Sequence, residues 1–383
     1  MAKKKIVILG PAPPYRGGNS LFVSHLFKVL KTDFEVVIYN YELLYPSFLF
    51  PGTTQYDESK KTIIEVSGKR IVNSINPINW VTTAISLKKE KADLIVFDWW
   101  HPFFSFCHFS ISFLLKKFYK NKILFITENI RSHEDSFIEG ILTKIGLRNA
   151  ASFLALSNIV ENGLKELSAG KRIYRSELPI YDCYQMDEYK RQDIRKGLGY
   201  ETQDKVLLFF GYIRHYKGLD ILLNAMPSLI EYDKSIKLLV VGEFYQDSDK
   251  YFGHVKELNI SGNVQFIAKY VPNEDVGNYY SAADLVVLPY RSATQSGILN
   301  IAYGFTKPVL VTNVGGLGEF VEQEKTGIII NPDSPDEILE GVKTFFRLTE
   351  SVDFENNIRN FVASPKFNNL PEVFSQIIND SEK

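Results

Sequence analysis

One stretch of the sequence decides the fold: Ala283–Glu319, which reads ADLVVLPYRSATQSGILNIAYGFTKPVLVTNVGGLGE. Leu285–Pro289 and Pro308–Thr312 are short apolar runs, and each predicts a strand buried on both faces. Between them a polar loop leads into Ile298–Phe305, which has the length of a helix and contains no proline. Two parallel strands joined through a helix form one right-handed crossover, whose loops open at the carboxyl edge of the sheet.

The start of this helix is a candidate anion site. Thr294 and Ser296 are N-cap residue types, and the unpaired N–H groups and dipole of a helix N-terminus suit a diphosphate. A glycine-rich turn, Val314–Gly318, follows the second strand and opens toward Glu319. The alternative is an ordinary crossover capped for stability, and this stretch alone does not decide between the two.

Length and composition exclude several classes of protein. A chain of 383 residues is too long for one ordinary core and predicts two domains. Lys+Arg 44 against Asp+Glu 45 gives a net charge of -1, so no overall positive field attracts nucleic acid. Two cysteines, Cys107 and Cys183, predict neither a disulfide framework nor a metal site and fit a reducing cytoplasm. Pro102–Leu115 is the longest apolar region. It is interrupted by His108 and several serines, and it is too short to span a bilayer.

Short apolar runs alternate with helical patterns along the whole chain. In the first half the runs are Ile6–Leu9, Phe34–Tyr39, Leu94–Asp98, Ile123–Thr127 and Phe153–Leu156. In the second half they are Val206–Phe210, Leu238–Val241, Val264–Ile267, the two runs quoted above and Ile328–Ile330. The alternation predicts α/β domains with parallel sheets. Asp187–Gly199 is polar and is interpreted as the connection between two such sheets, which we expect to face each other across a cleft.

Polar and aromatic clusters follow two strands of the first half. Trp99, Trp100 and His101 come after one strand, and His133 and Glu134 lie in the segment after the next. Because ligands bind at the carboxyl edge of such sheets, we interpret these clusters as the binding side of a sugar acceptor. Aromatic rings stack on a sugar face while polar groups bond its hydroxyls. The alternative is a core tryptophan pair and a surface charge pair.

Glycines follow the first predicted strand and precede a helix. Gly17 and Gly18 allow a tight turn and the close approach of a ligand to backbone N–H groups. The spacing is not G-x-G-x-x-G, so a dinucleotide fingerprint is not supported. A purely structural loop is the alternative.

The second sheet begins with a glycine-bracketed basic loop. Arg214 and Lys217 lie three residues apart between Gly211 and Gly218, after the strand that ends at Phe210. The fork of an arginine and the point charge of a lysine together suit a diphosphate. The alternative is a solvated basic loop. Gly242 ends the next strand at the same predicted edge.

These motifs resemble the retaining nucleotide-sugar glycosyltransferases of the GT-B fold, of the large family 4 type. The resemblance covers nearly the whole chain and rests on GYIRHYKGLDILLNAM, on the segment from YVPNEDV to GGLGEF, and on WWHPFF with ENIRSHE. It implies two Rossmann-like domains, 1–186 on the acceptor side and 187–365 on the donor side. It also implies that a C-terminal helix, 366–383, returns to the first domain.

The resemblance implies roles for individual residues. Arg214 and Lys217 would grip the donor diphosphate, together with the loop Thr294, Gln295, Ser296, Gly297 and Ile298, while Glu319 would sit near the nucleotide. In one respect the sequence departs from the family: many members carry two glutamates at the positions of Ala293 and Ile301. An isoleucine cannot bond ribose hydroxyls.

The resulting expectation is a metal-independent retaining glycosyltransferase without a cofactor. Its donor would be a nucleotide-diphosphate sugar, and its acceptor a glycan or a lipid-linked saccharide on the cytoplasmic side of a membrane. Two alternatives stay open: a GT-B-shaped protein that binds nucleotide sugar or glycan without turnover, and a nucleotide-sugar epimerase. Phe103–Leu115 with the lysines after it is either a peripheral membrane contact or a buried helix with a solvated end.

Overall fold

The chain divides into two compact units in a computed structural model that describes residues 3–50, 54–130, 137–245 and 248–383. Unit 1 comprises Met1–Asp57, Ile64–Pro179 and Pro365–Lys383, and unit 2 comprises Glu58–Ile63 and Ile180–Ser364. The boundary between the two units therefore lies between residues 179 and 180. The sequence analysis predicts it after residue 186. The sequence does not predict that the short segment Glu58–Ile63 belongs to unit 2.

Unit 1 is a parallel sheet covered by helices, with seven strands among its described residues. The strands are β1 (Lys5–Leu9), β2 (Glu35–Leu43), β3 (Gly68–Asn73), β4 (Leu94–Trp99), β5 (Ile123–Thr127), β6 (Ser152–Ala155) and β7 (Arg172–Arg175). The helices are α1 (Gly18–Leu30), α2 (Pro77–Lys89), α3 (Ser105–Leu115), α4 (Phe137–Leu147) and α5 (Asn158–Leu167). The spatial order is β3-β2-β1-β4-β5-β6-β7.

The strand order fixes which face of the sheet each helix covers. The connections from β3 to β4, from β4 to β5 and from β5 to β6 all step in one direction across the sheet. Since parallel crossovers are right-handed, α2, α3 and α4 lie in one layer, and α2 packs on α3 and α3 on α4. Helix α1 runs from β1 back to β2 and so covers the other face.

Unit 2 repeats this architecture with six strands among the described residues. The strands are β8 (Lys205–Phe210), β9 (Ile236–Val241), β10 (Val264–Ile267), β11 (Leu285–Leu288), β12 (Val309–Thr312) and β13 (Gly327–Ile330). The helices are α6 (Arg191–Gly197), α7 (Leu219–Tyr232), α8 (Asp249–Glu257), α9 (Asn273–Ala282), α10 (Gly297–Gly304), α11 (Pro335–Leu348) and α12 (Phe354–Val362). The order β10-β9-β8-β11-β12-β13 reverses direction between β8 and β11, the kind of switch point at which open α/β sheets bind ligands.

The predicted connection Asp187–Gly199 is wrong as a linker. It contains α6, whose Arg195 side chain is buried and donates hydrogen bonds to the carbonyl oxygens of Ala282 and Asp204 at 2.9 Å each. The same guanidinium pairs with Asp284 at 2.5 Å. A polar sequence here reflects a helix held by charge-assisted hydrogen bonds, not an exposed connection.

The last helix, α13 (Leu370–Ser381), is part of unit 1. It buries Leu370, Phe374 and Ile377 and contacts α1 and β7. Polar contacts reinforce the packing, because the Tyr174 hydroxyl donates to Asp380 at 3.1 Å. Within the described part of the chain, no helix is both long enough and apolar enough to cross a lipid bilayer.

Candidate active site

Glycines let three strand ends of unit 2 approach one another closely. Gly211 follows β8 with φ +100°, and Gly218 precedes α7 with φ +70°, both in the left-handed region. A Cβ atom on Gly218 would overlap the carbonyl oxygen of Pro289, which follows β11. A Cβ atom on Gly242, after β9, would overlap the carbonyl oxygen of Gly211. The backbone after β8 is thus packed tightly between its two neighbours.

Two cations lie in the loop after β8 without acidic partners. The Arg214 guanidinium stands 4.3 Å from the ring centroid of Tyr245, and Lys217 is only 7% exposed, with Nζ 5.7 Å from the ring centroid of Tyr290. Among the described residues, no carboxylate forms an ion pair with either cation. Burial, and then the charge of Arg214, lower the pKa of Lys217 to about 7. Neither cation is therefore neutralised by an ion pair within the described part of the chain.

The first turn of α10 borders the same space. A Cβ atom on Gly211 would lie 3.0 Å from Cδ1 of Ile298 and 3.2 Å from Nζ of Lys217. Ser296 caps the helix by accepting a hydrogen bond from the amide of Leu299 at 3.4 Å, as predicted from its residue type. The amides of Gly297 and Ile298 have no acceptor within the helix, and its first turn contains no acidic residue. We call Gly211, Arg214, Lys217, Gly297 and Ile298 the anion seat.

The loop before α10 is held by the turn after β12. The Gly316 amide donates to the Ala293 carbonyl oxygen at 3.2 Å, and Thr312 Oγ1 donates to the Tyr290 carbonyl oxygen at 2.6 Å. Thr294 and Gln295 lie between these anchors. Oε1 of Gln295 is buried and has no hydrogen-bond partner among the described residues.

Glu319 lies in the turn after β12, within the short 3₁₀ helix Leu317–Phe320 and not at the start of an α-helix. Ala293 and Ile301, the positions at which resembling enzymes carry glutamates, are both buried. In this chain both side chains therefore pack in the interior of unit 2.

An ion pair between Arg291 and Asp220, which the sequence did not predict, positions the loop that carries Arg214 and Lys217. Arg291 donates to both carboxylate oxygens of Asp220 at 2.8 Å and to the His215 carbonyl oxygen at 2.9 Å. Its amide donates to the Tyr216 carbonyl oxygen at 2.7 Å. Arg291 is thus neutralised and structural. Arg214 and Lys217 differ from Arg291 because no carboxylate among the described residues forms an ion pair with them.

At the carboxyl edge of unit 1 the tryptophan prediction fails for a physical reason. Trp99 is fully buried, and Trp100 packs on Phe104 with ring centroids 4.3 Å apart and donates Nε1 to the Tyr45 hydroxyl at 2.9 Å. Rings enclosed by the core cannot stack on a sugar. His101 is exposed, and its Nδ1 accepts a hydrogen bond from the Phe103 amide at 3.1 Å. His133 and Glu134 lie outside the described residues.

The same edge holds a buried carboxyl pair that sequence reasoning missed. Asp98 near the end of β4 and Glu128 after β5 are both buried, on neighbouring strands. In the described chain, no N–H or hydroxyl group of another residue reaches either oxygen of Asp98. Burial first, and then the neighbouring Glu128, raise the pKa of Asp98 well above its ordinary value; burial raises the pKa of Glu128 to about 7. Two neighbouring buried carboxylates repel each other, which favours the form of the pair that keeps one proton. The signal was an aspartate inside an otherwise apolar strand.

The glycine loop after β1 lies beside this pair. Gly17, with φ +104°, precedes Gly18 at the start of α1, and a Cβ atom on either would meet no other atom within 4 Å. The buried Asn40 side chain, which sequence reasoning also missed, fixes the loop by accepting from the Ala12 amide at 3.1 Å and donating to the Ala12 carbonyl oxygen at 2.9 Å. The loop is open to a ligand on its glycine side.

The family described as Glycosyl transferases group 1 matches residues 190–361, which span most of unit 2 and its entire anion seat. Unit 2 is therefore similar to the glycosyl transferases group 1 domain. Within the described residues, no group of three or more His, Cys, Asp or Glu side chains is arranged to hold a metal ion.

Two relatives extend the comparison. The uncharacterized glycosyltransferase MJ1607 of Methanocaldococcus jannaschii is 30% identical over 151 residues, which are 39% of this chain and 38% of that protein. The alignment thus spans well under half the length of that relative. The uncharacterized glycosyltransferase MJ1178 of the same organism is 23% identical over 339 residues, 86% of this chain and 84% of that protein.

Solved structures match both units of the chain. Sucrose-phosphate synthase from Thermosynechococcus elongatus has a TM-score of 0.74 at 18% identity and covers 99% of both chains. HepE of Anabaena, in complex with UDP-glucose, has a TM-score of 0.73 at 15% identity and covers 98% of both chains. The predicted fold class, two Rossmann-like α/β domains of the GT-B fold, is confirmed.

Proposed function

We propose that the chain transfers a sugar from a nucleotide-diphosphate sugar to a glycan or lipid-linked acceptor, with retention and without a metal ion. The anion seat carries the proposal, because it combines two cations with two helix N-terminal amides, and no carboxylate of the described residues pairs with either cation. A diphosphate would supply the missing negative charge. The group 1 match over this domain and the UDP-glucose bound by HepE support a nucleotide-sugar donor.

The chemistry follows from where charge develops. When the bond between the anomeric carbon and the diphosphate breaks, negative charge grows on the leaving phosphate. Fixed cations and helix amides stabilise that charge more in the transition state than in the ground state. Arg214 and Lys217 would grip the phosphates, and the amides of Gly297 and Ile298 would donate to them. These groups supply the positive charge that a metal ion would otherwise provide.

The remaining groups have roles at the two ends of the donor. Glu319 would accept hydrogen bonds from the ribose, since Ile301 offers no polar atom. Gly17, Gly18 and the backbone near Gly242 would allow close approach of the donor. On the acceptor side, His101, His133 and Glu134 would hold the attacking hydroxyl.

Asp98 and Glu128 would join the acceptor-side groups. The raised pKa values of the pair favour a state in which one carboxyl is protonated, and such a pair would accept a hydrogen bond from a sugar hydroxyl and also donate one. We assign no enzyme nucleophile; same-face attack guided by the leaving phosphate would give retention.

One substitution tests the proposal. Purified protein is incubated with a panel of nucleotide sugars, and release of free nucleoside diphosphate is measured. Arg214→Ala should lower kcat by about 100–1,000-fold, because it removes a charge-assisted contact at a growing anion. Arg347→Ala, at an exposed position of α11, should leave the rate unchanged. Equal rates for Arg214→Ala and wild type would remove the anion seat from the reaction.

A second candidate function is binding without turnover. The buried Ala293 and Ile301, where resembling enzymes carry glutamates, favour it. In that case the protein would bind nucleoside diphosphate, and Arg214→Ala would weaken binding, but no nucleotide sugar in the panel would be consumed.

A further inference from the structure

The outer face of the α2–α3 layer in unit 1 is apolar and exposed. On α2 the exposed side chains are Ile78, Val81 and Ile85, at 77%, 46% and 51% exposure. Their spacing of three and four residues puts them on one side of the helix. The opposite side is buried as well, through Ala84 and Leu87. An exposed apolar row on a helix whose opposite side is already buried normally has a partner of its own.

Helix α3 presents the same pattern beside it. Phe106 and Phe113 are exposed, seven residues apart on one side of the helix, and Phe109 stacks on Phe113 with ring centroids 5.8 Å apart. Leu114 and Phe118 are exposed too. Since α2 packs on α3, the two rows form one surface, which we call the apolar face. Exposed apolar surface of this extent on neighbouring helices marks an interaction site.

Lysines surround one end of the apolar face, and Glu90, which follows Lys89, pairs with Lys5 and Lys69. The side chains are Lys88, Lys89, Lys116, Lys117, Lys120 and Lys122. Neither 74–89 nor 99–127 contains an aspartate or a glutamate. Lys88 Nζ lies 3.6 Å from the ring centroid of Phe118, so the lysine end of α2 adjoins the lysine end of α3. The positive charge is local, because the net charge of the chain is -1.

We propose that the apolar face docks on an anionic lipid bilayer. Apolar side chains on one side of a helix enter the boundary between headgroups and acyl chains, and flanking lysines reach negatively charged headgroups. The charges favour a membrane over a protein partner, because the six lysines at one end of the apolar face complement a surface that is uniformly negative. The α2 and α3 N-termini lie at the carboxyl edge of the sheet, so the apolar face reaches the edge that carries Asp98 and His101. This inference holds whether or not the chain transfers sugar.

Vesicle flotation of the full chain tests the docking. Wild type should float with vesicles that mix phosphatidylcholine and phosphatidylglycerol, and much less with phosphatidylcholine alone. The triple variant Ile78→Ser, Phe106→Ser, Phe113→Ser should lose flotation on both. Tyr232→Ser, which changes a side chain 50% exposed on α7 of unit 2, should float like wild type. Circular dichroism melting establishes that each variant is folded.

A second set of variants tests the charge separately. Each lysine near an anionic surface strengthens partitioning about fivefold, so Lys116→Gln with Lys117→Gln should lower it by more than tenfold. High salt should have the same effect on wild type. Equal flotation of wild type with and without phosphatidylglycerol in the vesicles would overturn the proposal. So would a wild-type dimer in sedimentation velocity that the triple serine variant abolishes, because a second copy would then cover the apolar face.

Discussion

Lys217 differs from the other buried cations of unit 2 in what surrounds its charge. Lys307 is also buried, but its Nζ donates to the Ala283 carbonyl oxygen at 3.1 Å, and Arg195 pairs with Asp284. Those two hold the amino edge of the sheet together. Lys217 stands at the carboxyl edge, where no carboxylate among the described residues pairs with it. A buried charge without a partner is costly for stability, so its place is explained by an anionic ligand.

Diphosphate affinity should therefore depend on pH through Lys217. Its pKa is lowered to about 7 by burial, so above that pH the free protein must bind a proton to form the charged complex. Affinity for inorganic pyrophosphate should fall by up to about tenfold for each pH unit above 7. Titration calorimetry of wild type and Lys217→Arg makes the comparison, because arginine stays charged. Parallel pH profiles for the two proteins would contradict the prediction.

The carboxyl pair should make the stability of unit 1 depend on pH. The raised pKa values mean that the folded state binds more protons than the unfolded state, so the stabilisation is present at low pH. It should be lost as pH rises through about 7, the raised pKa of Glu128. Asp98→Asn removes the second negative charge, and its melting temperature should fall less between about pH 5 and pH 8. An unchanged slope in thermal melts would show that the pair is not coupled.

Sequence reasoning identified the cations but not their positioning partners. Arg214, Lys217 and Ser296 stand out because their residue types and their places beside glycines and strand ends are visible in the chain. Asp220 and Arg291 are far apart in sequence, and their pairing becomes evident only once β8 and β11 are neighbours. The Trp99 interpretation was wrong because sequence does not show which side of a strand end faces the core.

At the level of elements, the central strands of both sheets and the edge strands β10 and β13 of unit 2 were predicted, whereas the edge strands β3 and β7 of unit 1 were not. β4, β5, β8 and β11 are apolar because helices cover both faces, so a continuous apolar run reveals them. β3, with the sequence GKRIVN, and β7, with RIYR, are half-exposed. The polar side chains of β3 and β7 make their sequences resemble those of loops.

The backbone after β8 should not tolerate a side chain at Gly218. Gly218 and Gly170 both adopt positive φ, +70° and +86°, but only at Gly218 would a Cβ atom overlap backbone. Gly170→Ala should lower the free energy of unfolding by about 1–2 kcal/mol, the cost of a left-handed alanine. Gly218→Ala should cost more and also weaken pyrophosphate binding. Denaturant unfolding measures the difference, and equal losses would mean that the β8 and β11 loops move apart easily.

At the level of the whole molecule, the C-terminal segment decides the integrity of unit 1. Phe374 of α13 is fully buried, although it lies in sequence after all of unit 2. Phe374→Ala should destabilise unit 1 by about 3–5 kcal/mol. Phe354→Ala, at a buried position of unit 2, serves as the matched control. Limited proteolysis with peptide mapping should show faster cleavage within unit 1 for the first variant and within unit 2 for the second. Cleavage that rises equally in both units would contradict this division.

The return of α13 to unit 1 also has a consequence for synthesis. A ribosome that has completed β1 to β7 has made most of unit 1, but the helix that covers α1 and β7 is still untranslated. All segments of unit 2 have been synthesised once Ser364 has emerged from the ribosome, so unit 2 can complete its folding first. Until then, the surface that Phe374 will bury stays open to chaperones and proteases. The half of the protein that is translated first is thus the last to be finished.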